Sequence, residues 1–449
     1  MSHGKNLSEG SVPKQLLLFA LPFVFSSIVQ NLYSAVDLII LGQFAGTISL
    51  AGANISAQYI SLITNIAIGF CLGGTVIIGQ YRGGGNDEKL QKVIGTLVAF
   101  IIVLALASTV LSVVFAKGIL NMMKTPAEAM EEALIYFNVC SVGFVFIFGY
   151  NTLSAILRGM GDSNRPFIFI CISSAVNIVL DLVFIAGFNM GAFGAALATV
   201  IAQTVSMLLC ILHLRKTKFV FDFHPRSIRI DKEQFPILLR TSIPTTIQNA
   251  VNTLAFLLLT IMVNTMGVTA AAALAGAHKV TLFAILPSVS FGSAISAMCA
   301  QNFGADKPER AMSTMHWGFI LTMGINVVIF ALVELFPVQL MKLFGSDMEM
   351  MDLGVRYLRI CSIDYLLVPF MGSLMGFLVG SGHTIFPMFL NCSSSLLFRL
   401  PVAYVLGIAL NMGLDGIAWG TPAASFCVGV ISIVFYASGR CHKVTKVTK

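Results

Sequence analysis

Residues 93–116 read VIGTLVAFIIVLALASTVLSVVFA, a stretch without one charged side chain. A helix needs about 20 consecutive apolar residues to cross the hydrocarbon of a bilayer, and this one has enough. Outward from it, comparable runs lie at 16–41, 54–78, 133–157, 166–188, 192–214, 237–265, 270–299, 313–336, 353–380, 386–410 and 414–438. Composition agrees. Of 449 residues 57% are hydrophobic and 10% charged, against roughly 25% charged in a soluble domain. A soluble fold of this size has too little polar surface to cover so many apolar side chains. The expected fold class is an all-α integral membrane protein of about twelve transmembrane helices, in the cell membrane. The first run follows a polar 14-residue leader and is too long for a signal-peptide core, so it is expected to be retained.

The nine cysteines carry no paired spacing. Cys71, Cys140, Cys171, Cys210, Cys299, Cys361, Cys392 and Cys427 fall within or beside apolar runs, and Cys441 stands in the tail. They read as small packing residues rather than as a disulfide framework or a metal site.

Basic residues mark cytoplasmic loops. One alternate set of connections holds Lys5 and Lys14; Arg82, Lys89 and Lys92; Arg158 and Arg165; Arg215, Lys216, Lys218, Arg226, Arg229 and Lys232; Lys307 and Arg310; and Arg440, Lys443, Lys446 and Lys449. That is 19 of the 27 Lys and Arg. The opposite set holds Lys117, Lys124 and Lys342, with Arg356 and Arg359 if the tenth span starts late. Both termini are therefore expected in the cytoplasm, which requires an even number of spans. This distribution also accounts for the net charge of +7 without nucleic acid, since anionic lipid favours basic loops on that side.

The chain repeats itself at an offset near 221. Pro22 has its counterpart in Pro244. Leu50-Ala51-Gly52-Ala53 recurs as Leu274-Ala275-Gly276-Ala277. Gln80-x-x-Gly83-x-x-x-x-Glu88-Lys89 recurs as Gln301-x-x-Gly304-x-x-x-x-Glu309-Arg310. Leu157-x-Gly159-x-Gly161-x-x-x-x-Pro166 recurs as Leu378-x-Gly380-x-Gly382-x-x-x-x-Pro387, and Asn189-Met190-Gly191-x-x-Gly194 as Asn411-Met412-Gly413-x-x-Gly416. Each unit holds six spans, an even number, so both enter the membrane from the same side. The expected organisation is a leader at 1–14, a six-helix lobe at 15–214, a cytoplasmic loop at 215–236, a second lobe at 237–438 and a basic tail at 439–449. Two parallel lobes related by an axis along the membrane normal form a transporter architecture.

The Gln80 motif, the Leu157-Arg158-Gly159-Met160-Gly161-Asp162 motif, and the stretch from Asn177 and Asp181 to Gly194-Ala195-Ala196-Leu197-Ala198-Thr199 resemble the multidrug and toxic compound extrusion (MATE) family over nearly the whole chain. The resemblance implies a two-lobed antiporter that opens alternately to the two sides. It would export cationic or amphipathic organic compounds in exchange for protons or sodium, with no cofactor. The chain is expected to act as a monomer, with small organic compounds and membrane lipid as its partners.

Two acids lie well inside apolar runs, Asp37 and Asp181. A charge at that depth costs roughly 3 kcal/mol on insertion scales and marks a functional candidate. At the repeat offset they face Leu259 and Ala403, so the fold itself does not require them. Ser26, Gln30, Tyr33 and Asp37 share one face of the first helix, and Asn177 lies one turn before Asp181. This oxygen-rich set suits a sodium ion at Asp37, Asn177 and Asp181, and burial of the carboxyls suits a proton carrier equally. The family's matching positions on helices 1, 5 and 6 are linked to ion coupling, which the resemblance carries to Asp37, Asn177, Asp181 and Thr199. Against this stands a packing role, since polar side chains also join helices in a membrane. Thr199 faces Thr421 in the repeat, which favours packing there.

Pro22 is a natural bend in the first helix, although Pro244 at the matching point allows a purely shaping role. The seventh span carries a polar stripe of Thr241, Thr245, Gln248 and Asn252, but no acid. The family branch with a C-lobe cation site, the NorM-like one, uses a glutamate on that helix and an aspartate on the tenth. Asp364 lies about one turn too early for the latter. The resemblance is thus nearer the DinF-like branch, with its N-lobe site. Arg399 is the one basic residue clearly at depth, a candidate for pairing with an acid or for contact with a ligand. With Gln30, Tyr33, Gln248 and Asn252 it completes the candidate cavity residues.

The paired glycines are expected to end helices in turns, not to hold phosphate, since no strand precedes and no Walker lysine follows. A flippase for a lipid-linked saccharide is the alternative function, disfavoured by a single deep arginine. A membrane-embedded enzyme would need a metal, pyrophosphate or His–acid motif that the sequence lacks, and no nucleotide domain exists for an ATP-driven pump.

Overall fold

In a medium without water every backbone polar group must find a partner within the chain, which leaves the helix as the default for long apolar runs. The computed structural model describes residues 6–217, 219–224, 226–345, 347–444 and 446–448, with only the backbone of His442 and Lys443. Among these the regular structure is entirely helical. The first half holds α1 (Val12–Phe44), α2 (Gly46–Gly83), α3 (Asp87–Met122), α4 (Met130–Val142), α5 (Phe144–Gly159), α6 (Asn164–Asp181, continued by a π turn over Leu182–Gly187) and α7 (Gly191–Lys216). The second holds α8 (Gln234–Asn264), α9 (Val268–Gly304), α10 (Pro308–Leu335), the short α11 (Pro337–Lys342), α12 (Met348–Ser381), α13 (Ile385–Ser393), α14 (Leu400–Tyr404) and α15 (Gly413–Ala437). π turns at Ser394–Arg399 and Val405–Ala409 join α13 to α14 and extend α14.

Among the described residues eleven helices are long and apolar enough to cross a membrane, and a bent pair brings the number to twelve. That pair is the run at 133–157. It breaks at Gly143 with a bend of 48°, where a Cβ would collide with Val200 Cγ2. The matching position in the second half is Asp364, inside the unbroken α12. Side chains such as Val103, Leu106, Val110 and Val114 on one face of α3 are exposed, as lipid-facing residues must be.

By packing, the chain falls into two compact units, one of Phe25–Thr246 and one of Leu7–Val24 with Ile247–Val447. Each unit thus takes the leading half of a helix whose remainder belongs to the other, and both divisions fall just past Pro22 and Pro244. In the first unit α8 enters against α2, where Ser242 and Thr246 occupy the space a side chain at Gly73 or Gly69 would need. Thr245 Oγ1 donates to the Gly69 carbonyl at 2.9 Å. In the second unit the segment before α1 is clamped. Leu7 N donates to Gln301 Oε1 at 3.1 Å, and the Arg310 guanidinium donates to the carbonyls of Gly10 at 2.7 Å and Glu9 at 2.8 Å. Gln80, the repeat partner of Gln301, instead accepts from Thr448 Oγ1 at 2.9 Å. The duplicated glutamine thus accepts through its side-chain oxygen in both units.

The repeat extends to the backbone. Gly161 and Gly382 have φ of 86° and 90°, and Asn189 and Asn411 have 53° and 55°, left-handed values that glycine and asparagine tolerate best. Gly159 and Gly380 differ from the expectation that both members of each glycine pair serve the turn. They are helical, and they permit close packing. A Cβ on Gly159 would meet Ile78 Cγ2 at 2.8 Å and Thr75 O at 2.9 Å; on Gly380, Cys299 Cβ at 2.7 Å and Ser296 O at 2.5 Å. The offset grows from 221 at Pro387 to 222 at Asn411. A π turn uses one more residue than an α turn, and Ser394–Arg399 supplies it where the first half stays α-helical. The other π turns, Leu182–Gly187 and Val405–Ala409, match each other.

The nine cysteines are free thiols. The connection after α7 folds back on α3. Gln91 Nε2 donates to the Val220 carbonyl at 2.9 Å and Asp231 N to Thr96 Oγ1 at 3.0 Å. Hydrogen bonds from Ser227 and from the His224 backbone N–H hold the Asp222 carboxyl below the usual carboxylate range.

Candidate functional site

Membrane helices that carry acids must bring them to partners, to water or to an ion. In the first unit α1 and α6 do so. Asp181 is fully buried at the end of the regular part of α6, and Asn177, one turn earlier, is 1% exposed. Asp37 on α1 is partly buried. The carboxyl groups of Asp37 and Asp181 come within hydrogen-bond reach of each other. Two carboxylates have only acceptors, so that bond exists only when a proton lies in it. Without one, both Asp181 oxygens, Asp37 Oδ1 and both polar atoms of the Asn177 amide are buried with no partner. Buried polar atoms are rarely left so. This set fits a proton or a small oxygen-coordinated cation, and nothing apolar.

Beside the pair lies a cavity of about 10 Å³, room for roughly one water-sized sphere, lined by Tyr33, Ser173, Ser174, Asn177, Thr199 and Gln203 among others. Thr199 on α7 therefore faces the site. Tyr33 is in electrostatic reach of both acids. Gln30 is half-buried one turn before it, and its carbonyl accepts from Ser34 Oγ at 2.9 Å. Ser26 is buried earlier on the same helix. Tyr136 on α4, which sequence reasoning missed, is buried within reach of Asp37 and Tyr33. A signal existed: Tyr136 and Cys140 recur as Tyr357 and Cys361 at offset 221.

The second unit is built alike with the acids removed. Leu259 and Ala403, the counterparts of Asp37 and Asp181, belong to one apolar core cluster. Arg399, at the end of the additional π turn, is the counterpart of Asn177 at offset 222. Its Nε is buried without a hydrogen-bond partner. The acid within its electrostatic reach is Asp364, 5% exposed with Oδ1 unpartnered; the two form no ion pair among the described residues. Asn252 Oδ1 accepts from Ser395 Oγ at 2.9 Å, and Gln248 is half-buried. Glu334, near the end of α10, pairs with Arg359 at 3.7 Å and accepts from Ser362 Oγ at 2.6 Å. The structure thus brings together Tyr33, Asp37, Asn177, Asp181 and Thr199 in one unit, while Gln248, Asn252 and Arg399 stand in the other. Pro22 lies inside the continuous α1.

Among the described residues no three His, Cys, Asp or Glu form a metal cluster, so any cation here would rely on amide, hydroxyl and carbonyl oxygens beside the two carboxyls.

The MatE family model matches residues 22–183 and 244–405, one copy in each half. Among curated proteins, the chain is 29% identical over 436 residues to the probable multidrug resistance protein YoeA of Bacillus subtilis, covering 96% of this chain and 94% of that one. It is 26% identical to the probable multidrug resistance protein NorM of Thermotoga maritima, covering 98% and 95%. Among solved structures, a MATE protein in complex with MaL6 superposes with a TM-score of 0.92 at 23% identity, covering 99% of both chains.

Proposed function

Because this chain belongs to the MatE family of membrane transporters, we propose that it is a secondary antiporter that exports cationic or amphipathic organic compounds in exchange for protons or sodium. The observation that carries this reading is the Asp37–Asp181 pair, with Asp181 fully and Asp37 partly buried, whose counterparts Leu259 and Ala403 are hydrocarbon in the repeated lobe. A pair of carboxyls that the fold does not need, placed where ionisation is costly, has its reason in an ion that comes and goes. The names of the curated relatives support multidrug export as the task.

In this reading the free pair holds either one shared proton or a sodium ion with Asn177 supplying an amide oxygen. Loss of that ion leaves two facing negative charges. At ~4 Å with an effective dielectric of ~20 they repel by about 4 kcal/mol, enough to bias a two-state helix arrangement strongly. Asp37 moves with α1, so relief of the repulsion shifts α1 against α6 and α7. Pro22 lacks the backbone N–H of a regular turn, and in this reading α1 bends there during the cycle. Alternating access of two lobes, an N-lobe ion site of the DinF-like kind, cytoplasmic termini and a monomer complete the proposal. The basic residues support the orientation: 19 of 27 Lys and Arg fall in one alternate set of connections. The flippase alternative has weaker support, with Arg399 as its only deep arginine.

The test is export of a fluorescent organic cation from proteoliposomes, run separately with an imposed pH gradient and an imposed sodium gradient. Export with one or both supports the antiporter; failure with both, together with lipid scrambling, replaces it by the flippase.

A further inference from the structure

A second cavity in the first unit, of about 280 Å³, lies between α3, α5 and α7 under the folded-back connection, away from the acid pair. Its walls are apolar, with Ile101, Ile102, Val145, Leu153 and Met207 along the helices and Phe223 and Ile228 as a roof. Among the described residues the one charged side chain in its lining is Arg215, in the last turn of α7. Arg215 is exposed and has no ion pair or side-chain hydrogen bond among the described residues. Ile102, 40% exposed, opens the cavity to the lipid-facing side of α3.

The roof is a built feature. Phe223 has a φ of 52°, a left-handed conformation in which a bulky residue is a true outlier. Its ring meets Phe221 edge-on at 5.0 Å and Phe219 at 6.3 Å. The bonds from Gln91 and to Thr96 fix the connection on both sides of this turn. Strain of this kind persists where the surroundings impose it, and clamps over ligands are one such setting.

We propose that this groove is a binding site for an anionic phospholipid of the leaflet bordering the basic loops, an acyl chain lying between α3, α5 and α7 and the headgroup phosphate meeting Arg215. Charge complementarity selects the occupant. A cationic amphiphile would meet an unpaired guanidinium, whereas basic pockets between transmembrane helices suit anionic headgroups. The apolar length selects a chain-bearing ligand over a free phosphate. The neighbouring basic residues Arg226 and Arg229 line a separate cavity of about 350 Å³, which they share with Lys92 and the acids Glu88, Asp222 and Asp231, a lining of mixed charge less suited to an anion.

The experiment uses the full-length chain, purified in detergent and stripped of lipid, with native mass spectrometry in an equimolar mixture of phosphatidylglycerol and phosphatidylcholine and thermal melts beside it. Retention of phosphatidylglycerol over phosphatidylcholine is expected, with a rise in melting temperature that inorganic phosphate does not reproduce. Arg215→Gln, at an exposed position, should weaken phosphatidylglycerol retention about fivefold, the effect of one basic residue near a membrane surface. Ile102→Trp, which fills the open end, should reduce retention of both lipids. Equal retention of the two lipids by the wild type, or unchanged retention in Arg215→Gln, overturns the proposal, as does a melting shift from inorganic phosphate equal to that from the lipid.

Discussion

Replacing Asp37 by asparagine removes the charge and keeps the shape. The asparagine amide can donate to Asp181 permanently, taking the place of the shared proton. The variant is therefore expected to behave as a transporter fixed in its ion-loaded form. What is lost is the switch of about 4 kcal/mol that two facing carboxylates provide at ~4 Å and an effective dielectric of ~20. That corresponds to roughly 10³ in the equilibrium between the two arrangements. Gradient-driven export in proteoliposomes should fall at least tenfold, by this order-of-magnitude reasoning. Binding of the organic compound in detergent should change little, because the pair lies beside a cavity of about 10 Å³, too small to admit it. Asp181→Asn should do the same, and the double variant should be no worse than either single one, since both act on one interaction. Full gradient-driven export by Asp37→Asn would refute the reasoning, and so would additive losses in the double variant.

Pro22→Ala restores a backbone donor to α1 and should slow turnover while leaving substrate binding intact; Pro244→Ala in α8 should leave coupling unchanged. Gly159→Val places a Cβ against Ile78 and Thr75 and should cost about 1–3 kcal/mol in unfolding experiments. Gly324→Ala, with nothing within 4 Å, should be neutral or slightly stabilising. Arg310→Ala frees the carbonyls of Gly10 and Glu9 and should loosen the leading segment by about 1–2 kcal/mol, seen as faster proteolysis near residues 6–11 with little change in the global melt.

The spans and the duplication were legible because both rest on local or periodic information. Apolar length alone marks a crossing helix, and Gly161 with Gly382 or Asn189 with Asn411 mark turns by what their backbones must do. The candidate pair was half legible. Asp37 and Asp181 stand out as charges among Leu and Ile, and the repeat shows that the fold can do without them. That they meet is a tertiary fact: 144 positions separate them, and the α1–α6 approach depends on packing that no periodicity records. Tyr136 stayed hidden because a tyrosine in an apolar run is unremarkable until its duplicate at Tyr357 is noticed. Arg399 was visible without its surroundings. Its place as the repeat counterpart of Asn177 depends on the extra residue of the Ser394–Arg399 π turn, which sequence shows only as an offset drifting from 221 to 222. The 48° bend at Gly143 within the run at 133–157 was not legible, since apolar length carries no sign of it. The groove under Phe223 was wholly illegible, because it is made by a polar connection folding back over lipid-facing side chains.

A pair of carboxyls that exchanges an ion during the cycle is the centre of the proposed mechanism. The most direct measurement is proton release from purified protein in weakly buffered solution on addition of sodium or of the transported cation, read with a pH dye. The wild type is expected to release protons on addition of at least one of these ligands, and Asp37→Asn and Asp181→Asn to release none. No release from the wild type with either ligand, or equal release from the variants, would contradict it.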